Sequence, residues 1–221
     1  MTNYISLSHI QSLINRHAKE IMIAMAVLGL GVAGTFGYWF YRQQQEEAAQ
    51  LAFVTCIEEF NGAQQNPAQW PTVSLAAMTG YRQHSGSSLA PYFMALEAQS
   101  LIGQGKLNEA ITTLDRVIGA IAKNSPLYFI YSIQAARMKL DSNDDALKNS
   151  GLRDLDALAQ NTKNKNRDEA LYYLAQYYRS QKSFDRAQEL LNQLIVAFPE
   201  GGLASSPWTI LAQETLKEFA A

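Results

Sequence analysis

The stretch from Asp168 to Gly201, DEALYYLAQYYRSQKSFDRAQELLNQLIVAFPEG, decides the fold. Its first half places Leu171, Leu174, Ala175 and Tyr178 at the spacing that gathers side chains on one face of an α-helix. Its second half does the same with Phe184, Ala187, Leu191 and Leu194. Only the short polar turn Ser180 to Ser183 separates the two, so the helices have to fold back on each other and pack antiparallel.

Working outward, PYFMALEAQSLIGQGKLNEAITTLDRVIGAIA from Pro91 repeats the theme with Ala98, Leu101, Gly105, Leu107, Ala110, Leu114 and Val117. Ala98 and Ala110 correspond to Ala175 and Ala187. Each pair is small because two helices of one hairpin touch there, and a bulky replacement should overpack at a cost of about 1 to 3 kcal/mol. Between these hairpins, Leu127 to Leu140 and Ala146 to Leu158 predict a more degenerate one, with Ala135 and Ala136 as its small contacts. The repeat-equivalent alanines Ala110, Ala146 and Ala187 then stand 36 and 41 residues apart, as in repeats with drifting loops. On the near flank, a helix over Glu46 to Phe60, a loop from Asn61 to Pro71 and a helix near Val73 to Gln83 are expected. On the far flank, Ser206 and Pro207 supply an N-cap and a favoured first residue for a last, capping helix to Phe219. No stretch alternates like a strand, so the fold class is all-α, a solenoid of helical hairpins.

The hairpin resembles a tetratricopeptide repeat, a 34-residue helix–turn–helix unit. Counting Asp168 as position one, Leu174 and Ala175 fall where that family has Leu and Gly, Tyr178 and Phe184 where it has aromatic residues, Ala187 where it has its second-helix Ala, and Pro199 where it has Pro. Leu171 stands in place of the family's Trp, and Leu194 in place of a small residue, which suggests looser hairpin packing.

Ahead of these repeats, Ile21 to Tyr41 reads IMIAMAVLGLGVAGTFGYWFY, 21 residues without a charge. As a helix it is roughly 30 Å long, enough to span a bilayer's hydrocarbon core. Tyr38, Trp39, Phe40 and Tyr41, followed by Arg42, form an interfacial belt. Arg16 and Lys19 outweigh Arg42, which predicts a cytoplasmic N-terminus and an exported C-terminal part carrying 15 positive and 19 negative residues, about −4. A cleaved signal peptide is the competing reading, disfavoured by the long lead-in and the aromatic belt. Leu7, Ile10, Ile14, His17 or Ala18, and Ile21, behind Ser6 or Ser8, give that lead-in a short amphipathic pattern, read as a membrane-surface approach to the span. The expected organisation is a cytoplasmic arm over 1–20, a transmembrane helix over 21–41, membrane-proximal helices over 42–90 and the repeat domain over 91–221. Gly29, Gly31 and Gly34 spell G-x-G-x-x-G but lack the strand and turn of a dinucleotide site. Gly29, Ala33 and Gly37 instead recur every four residues, a small-residue stripe that suits another membrane helix; glycine is also common in such helices without any partner.

Composition excludes several functions. Among 221 residues 48% are apolar, and 18 Lys plus Arg balance 20 Asp plus Glu, so neither a disordered chain nor a basic nucleic-acid binder is indicated. One cysteine, Cys56, rules out an intramolecular disulfide and reads as a small buried residue, with an intermolecular disulfide as the sharper alternative. His9, His17 and His84 form no ligand cluster, so no metal or cofactor is expected. Glu58 and Glu59 are adjacent and point apart, Asp144 and Asp145 suit a helix start, His84 reads as a surface residue, and Lys163, Lys165 and Arg167 read as a solvated loop. No enzymatic constellation emerges.

A binding surface remains. In stacked hairpins the first helices line a groove, and by repeat position its residues here are Tyr92, Gln99, Glu169, Tyr172, Gln176 and Arg179. Tyrosine and arginine anchor interfaces, although the tyrosines also suit hairpin packing. The whole layout resembles the YfgM-type family of bacterial membrane proteins. That resemblance implies a single-span inner-membrane protein accessory to the Sec translocon, with translocon subunits, periplasmic chaperones or exported chains as partners. An envelope-assembly or division scaffold, or a homo-oligomer held by the small-residue stripe, are the competing expectations.

Overall fold

The computed structural model describes residues 7–199 and 206–220, with side chains described over 28–199 and 206–219. Two compact units are present, residues 1–50 and 51–221. Helix α1 (Leu7–Gln65) supplies the first unit and enters the second from Leu51. After a 3-10 turn, Pro67–Gln69, follow α2 (Trp70–Gln83), α3 (Ala90–Gly103), α4 (Leu107–Ala120), α5 (Pro126–Leu140), α6 (Asp145–Gln160), α7 (Arg167–Ser180), α8 (Phe184–Ala197) and α9 (Pro207–Ala220). No strand occurs among the described residues, and consecutive helices pack in order as a tetratricopeptide-like solenoid.

In the first unit Gly29, Ala33 and Gly37 are exposed, and a Cβ added at either glycine would meet nothing within 4 Å. Among the described residues no helix is long and apolar enough to cross a membrane. The side chains of 21–27 in the expected span and of 7–20 in the lead-in are not described, and Ser6 lies outside the described residues.

Local chemistry fixes the helix ends in the second unit. Ser125 caps α5, its Oγ accepting from the Leu127 N–H, with Pro126 as first helical residue. Asp144 caps α6 by accepting from the Ala146 and Leu147 N–H groups at 2.7 and 3.3 Å. Ser206 caps α9 by accepting from the Trp208 N–H at 3.1 Å, and its hydroxyl donates to Asp168 at the start of α7. The α3–α4 and α7–α8 turns both need a residue with positive φ, supplied by Gly105 at 74° and by Lys182 at 58°.

The hairpin alanines behave as their size requires: Ala98, Ala110, Ala175 and Ala187 are all buried, as are Ala135 and Ala136. The middle hairpin differs in its second helix. Ala146 is exposed at the start of α6, and Gly151 takes the contact position, where a Cβ would lie 2.6 Å from the Ala136 carbonyl oxygen. The α5–α6 turn, residues 141–144, is one residue longer than the α3–α4 and α7–α8 turns. Other expectations shift as well. Asn61 to Pro71 is not a loop, since α1 runs to Gln65 and α2 begins at Trp70. Trp70 covers Gly103 at the end of α3 and meets Phe60 edge to face, which closes the segment on the core. Phe184 is exposed and meets the Phe219 ring at 5.7 Å in place of the hairpin core. His84 is half-buried, stacked on Phe93, because α2 ends over the ring that fills the crossing at Gly80. Arg167 is partly buried, donating to the Ala159 carbonyl at 2.7 Å, while Lys163 and Lys165 remain exposed. Cys56 is buried with Ala77 and Phe93.

Candidate functional site

The first helices of successive hairpins, α3, α5 and α7, carry the surface that repeat position designates. On α7, Glu169, Tyr172, Gln176 and Arg179 are all half-buried and fall on one side of the helix, because positions three and four apart share a face. Tyr92 and Gln99 are half-buried on α3, which lies on the far side of α5. The six predicted residues therefore do not form one cluster. Tyr92 turns toward α1 and meets Phe53 at 6.4 Å. Tyr172 leans on Trp208 of α9, ring centres 5.2 Å apart, and Arg179 forms an ion pair with Glu218 of α9 at 2.9 Å.

A groove of about 600 Å³ does form between α5, the start of α6 and α7. Its walls carry Arg137 and Leu140 from α5, Lys148 from α6, and Tyr173, Gln176 and Tyr177 from α7. The Arg137 guanidinium carbon sits 3.6 Å from the centre of the Tyr173 ring, within cation–π distance. Asp141 and Asp145 balance Arg137 and Lys148, so the groove has no dominant sign of charge. Its distinctive polar atom is Gln176 Nε2, which is buried and has no hydrogen-bond partner. A buried donor of this kind costs free energy until an acceptor reaches it. An extended chain laid along the groove would bring apolar side chains to the tyrosine rings.

Burial also raises the pKa of the Glu169 carboxyl, an effect that the nearby Arg137 only partly offsets. The Tyr173 hydroxyl is pushed up by burial too, against the opposing charge of Arg137. Among the described residues no group of His, Cys, Asp and Glu could hold a metal ion.

Arg137, Tyr173, Tyr177 and Trp208 belong to this surface and were not singled out by sequence. Trp208 had a readable signal: Trp208, Leu211, Ala212 and Thr215 repeat the spacing of Leu171, Leu174, Ala175 and Tyr178. Arg137 had none, because the degenerate α5–α6 hairpin hides its own register.

Residues 169–201 match the tetratricopeptide repeat family model, on the hairpin α7–α8. No curated protein matches the chain. Among solved structures, the chain is similar to the nearly identical tetratricopeptide-like repeats of a protein described as a kinesin light chain from Podosopora anserina, and to a glutamine-to-methionine variant of that protein. In both cases the identity is 16% and the TM-score 0.52, over 80% of this chain and 83% of the other. At that identity the likeness concerns the fold alone. The second unit thus has the fold of stacked tetratricopeptide-like hairpins, and its α7–α8 hairpin matches the repeat family model.

Proposed function

We propose that this chain is a membrane-tethered interaction scaffold, accessory to the Sec translocon, that uses its repeats to pass exported chains to periplasmic chaperones. The observation that carries the binding part is the α5–α7 groove, where Tyr173 and Tyr177 line a wall beside Arg137 without a dominant charge. Such a surface suits sequence-tolerant capture of extended polypeptide. The tether is supported by the uncharged run from Ile21 to Tyr41 and by the exposure of Leu28, Leu30, Val32, Phe36 and Trp39 within it. Exposed aliphatic and aromatic side chains at that density suit lipid more than water. The layout's likeness to the YfgM-type family adds the translocon and the chaperones.

The test is gentle detergent extraction of native membranes, affinity purification of the full chain, and mass spectrometry of what accompanies it. Near-stoichiometric translocon subunits or periplasmic chaperones are expected. Recovery of envelope-assembly proteins or of self-copies alone would remove the export role. The Tyr173→Ala, Tyr177→Ala double variant should lose exported chains from the same purification while the translocon subunits stay.

A further inference from the structure

Apart from the α5–α7 groove, the second unit holds an apolar groove between the closing turns of α1 and the length of α2. It has a volume of about 340 Å³, with Ala52 and Cys56 of α1 on one wall and Leu75, Ala76 and Gly80 of α2 on the other. Leu75 is 67% exposed on its rim, and Leu51, one helical turn before Thr55 on the α1 wall, is 73% exposed. Both helices bury other faces in the core: Phe53 of α1 meets Phe93 of α3, and Val73 and Ala77 of α2 are fully buried. The charge around the groove has one sign. Among the described residues Glu59 alone brings a charge into its lining, and neither Glu59 nor the adjacent Glu58 forms an ion pair. From Gln43 to Tyr81 the sequence has Glu46, Glu47, Glu58 and Glu59 but no Lys or Arg. Arg82 ends that run, and its charge acts on Glu97 of α3.

We infer that this groove docks an amphipathic helix of another protein, one whose apolar stripe is flanked by Lys or Arg. Two helices side by side leave a lengthwise trough that suits a third helix, because large side chains three and four positions apart seat between small residues such as Ala52, Ala76 and Gly80. The basic flank then meets Glu59, which the protein itself leaves without a counter-charge. The same charge argues against the other occupants. A second copy docked by this face would set Glu59 against Glu59, and an anionic lipid surface would be repelled by the run of acids. The reading is independent of the α5–α7 groove and adds a second interaction surface to the chain.

The experiment titrates the full chain, held in phosphatidylcholine nanodiscs, into a fluorescein-labelled helical peptide with a leucine stripe flanked by lysines. A matched peptide carries Glu in place of each Lys, and empty nanodiscs give the lipid background. Fluorescence anisotropy should show the Lys peptide binding above that background and about fivefold more tightly than the Glu peptide. The double variant Glu58→Lys, Glu59→Lys should reverse the order of the two peptides. Thr79 lines the groove from an exposed position, so Thr79→Trp should fill it, lowering the affinity for the Lys peptide about tenfold with an unchanged melting temperature. Equal binding of the two peptides, or a preference that survives the charge reversal, overturns the basic partner. Binding no stronger than to empty nanodiscs, or undiminished in Thr79→Trp, overturns the groove. Two chains per nanodisc, reduced to one by Thr79→Trp, would give the face to a second copy and overturn the proposal as well.

Discussion

The Arg137 guanidinium stacks 3.6 Å above the centre of the Tyr173 ring and so ties α5 to α7 beside the groove. A planar cation on an aromatic face contributes about 0.5 to 2 kcal/mol, more as water is excluded. Arg137→Ala should therefore lower stability by about 1 kcal/mol, a fall in melting temperature of about 2 to 4 °C for a chain of this size. Differential scanning calorimetry checks this fall. An unchanged melting temperature would mean that the stacked pair is not part of what holds α5 on α7.

Gly151 and Ala146 give opposite expectations under substitution. A Cβ at Gly151 would lie 2.6 Å from the Ala136 carbonyl oxygen and 2.8 Å from Lys139 Cβ, so Gly151→Ala forces two helices apart and should cost about 1 to 3 kcal/mol. Ala146 is exposed, and Ala146→Leu should change stability by less than about 0.5 kcal/mol. Urea melts of the two variants decide between this register and the one in which Ala146 is the hairpin contact.

That contrast shows where the sequence was readable. The α7–α8 hairpin was legible because Leu171, Leu174, Ala175 and Ala187 are both periodic and buried, and periodicity is the projection of burial onto a helix. The α5–α6 pair was legible as two helices but not in register, since the helix-to-helix contact falls on Gly151 and a glycine leaves no mark in an apolar periodicity. The groove was legible on α7 alone. Its other wall depends on Arg137 meeting Tyr173 across 36 positions of sequence, and local spacing cannot express that contact.

Lys182 adopts the left-handed conformation that Gly105 supplies in the equivalent turn of the α3–α4 hairpin. An L side chain there carries a penalty of roughly 1 to 2 kcal/mol, part of which glycine gives back through its more disordered unfolded state. Lys182→Gly should stabilise the chain by about 0.5 to 1 kcal/mol, and Gly105→Ala should destabilise it by about 1 kcal/mol. Paired calorimetric scans test both, and a fall in melting temperature for Lys182→Gly would show that the Lys182 side chain contributes more than its backbone costs.

Lys139 reaches Asp115 on α4 and Asp154 on α6, each at 3.1 Å, and so clips both second helices to α5. Burial favours the neutral amine, but the two hydrogen bonds and carboxylate charges outweigh it, and the pKa of Lys139 is raised. A raised folded-state value means that the protonated clip stabilises fully below the ordinary lysine pKa of about 10.4 and that the benefit is lost as pH climbs through the higher folded-state value. Replacing Lys139 with Met keeps the packed stem and removes the charge, leaving both carboxylates without their partner. Lys139→Met should therefore be less stable than the native chain at neutral pH, with the gap narrowing only in strongly alkaline solution. Urea melts of both chains at neutral and at strongly alkaline pH measure that gap.

Glu169 works in the opposite sense, because its carboxyl is raised by burial and only partly relieved by Arg137. A raised acid binds its proton more tightly in the folded chain, so stability falls as pH rises through the ordinary glutamate range near about 4.3 toward the folded-state value. At neutral pH the charged Glu169 is then a net cost to folding. Glu169→Gln removes that cost and should raise the melting temperature at pH 7, with the gain shrinking to nothing once the solution is more acidic than the unfolded carboxyl's pKa. Melting curves of the two chains across pH 3 to 8 test this; a Glu169→Gln chain that melts below the native one at pH 7 would mean that Arg137 outweighs burial at this position.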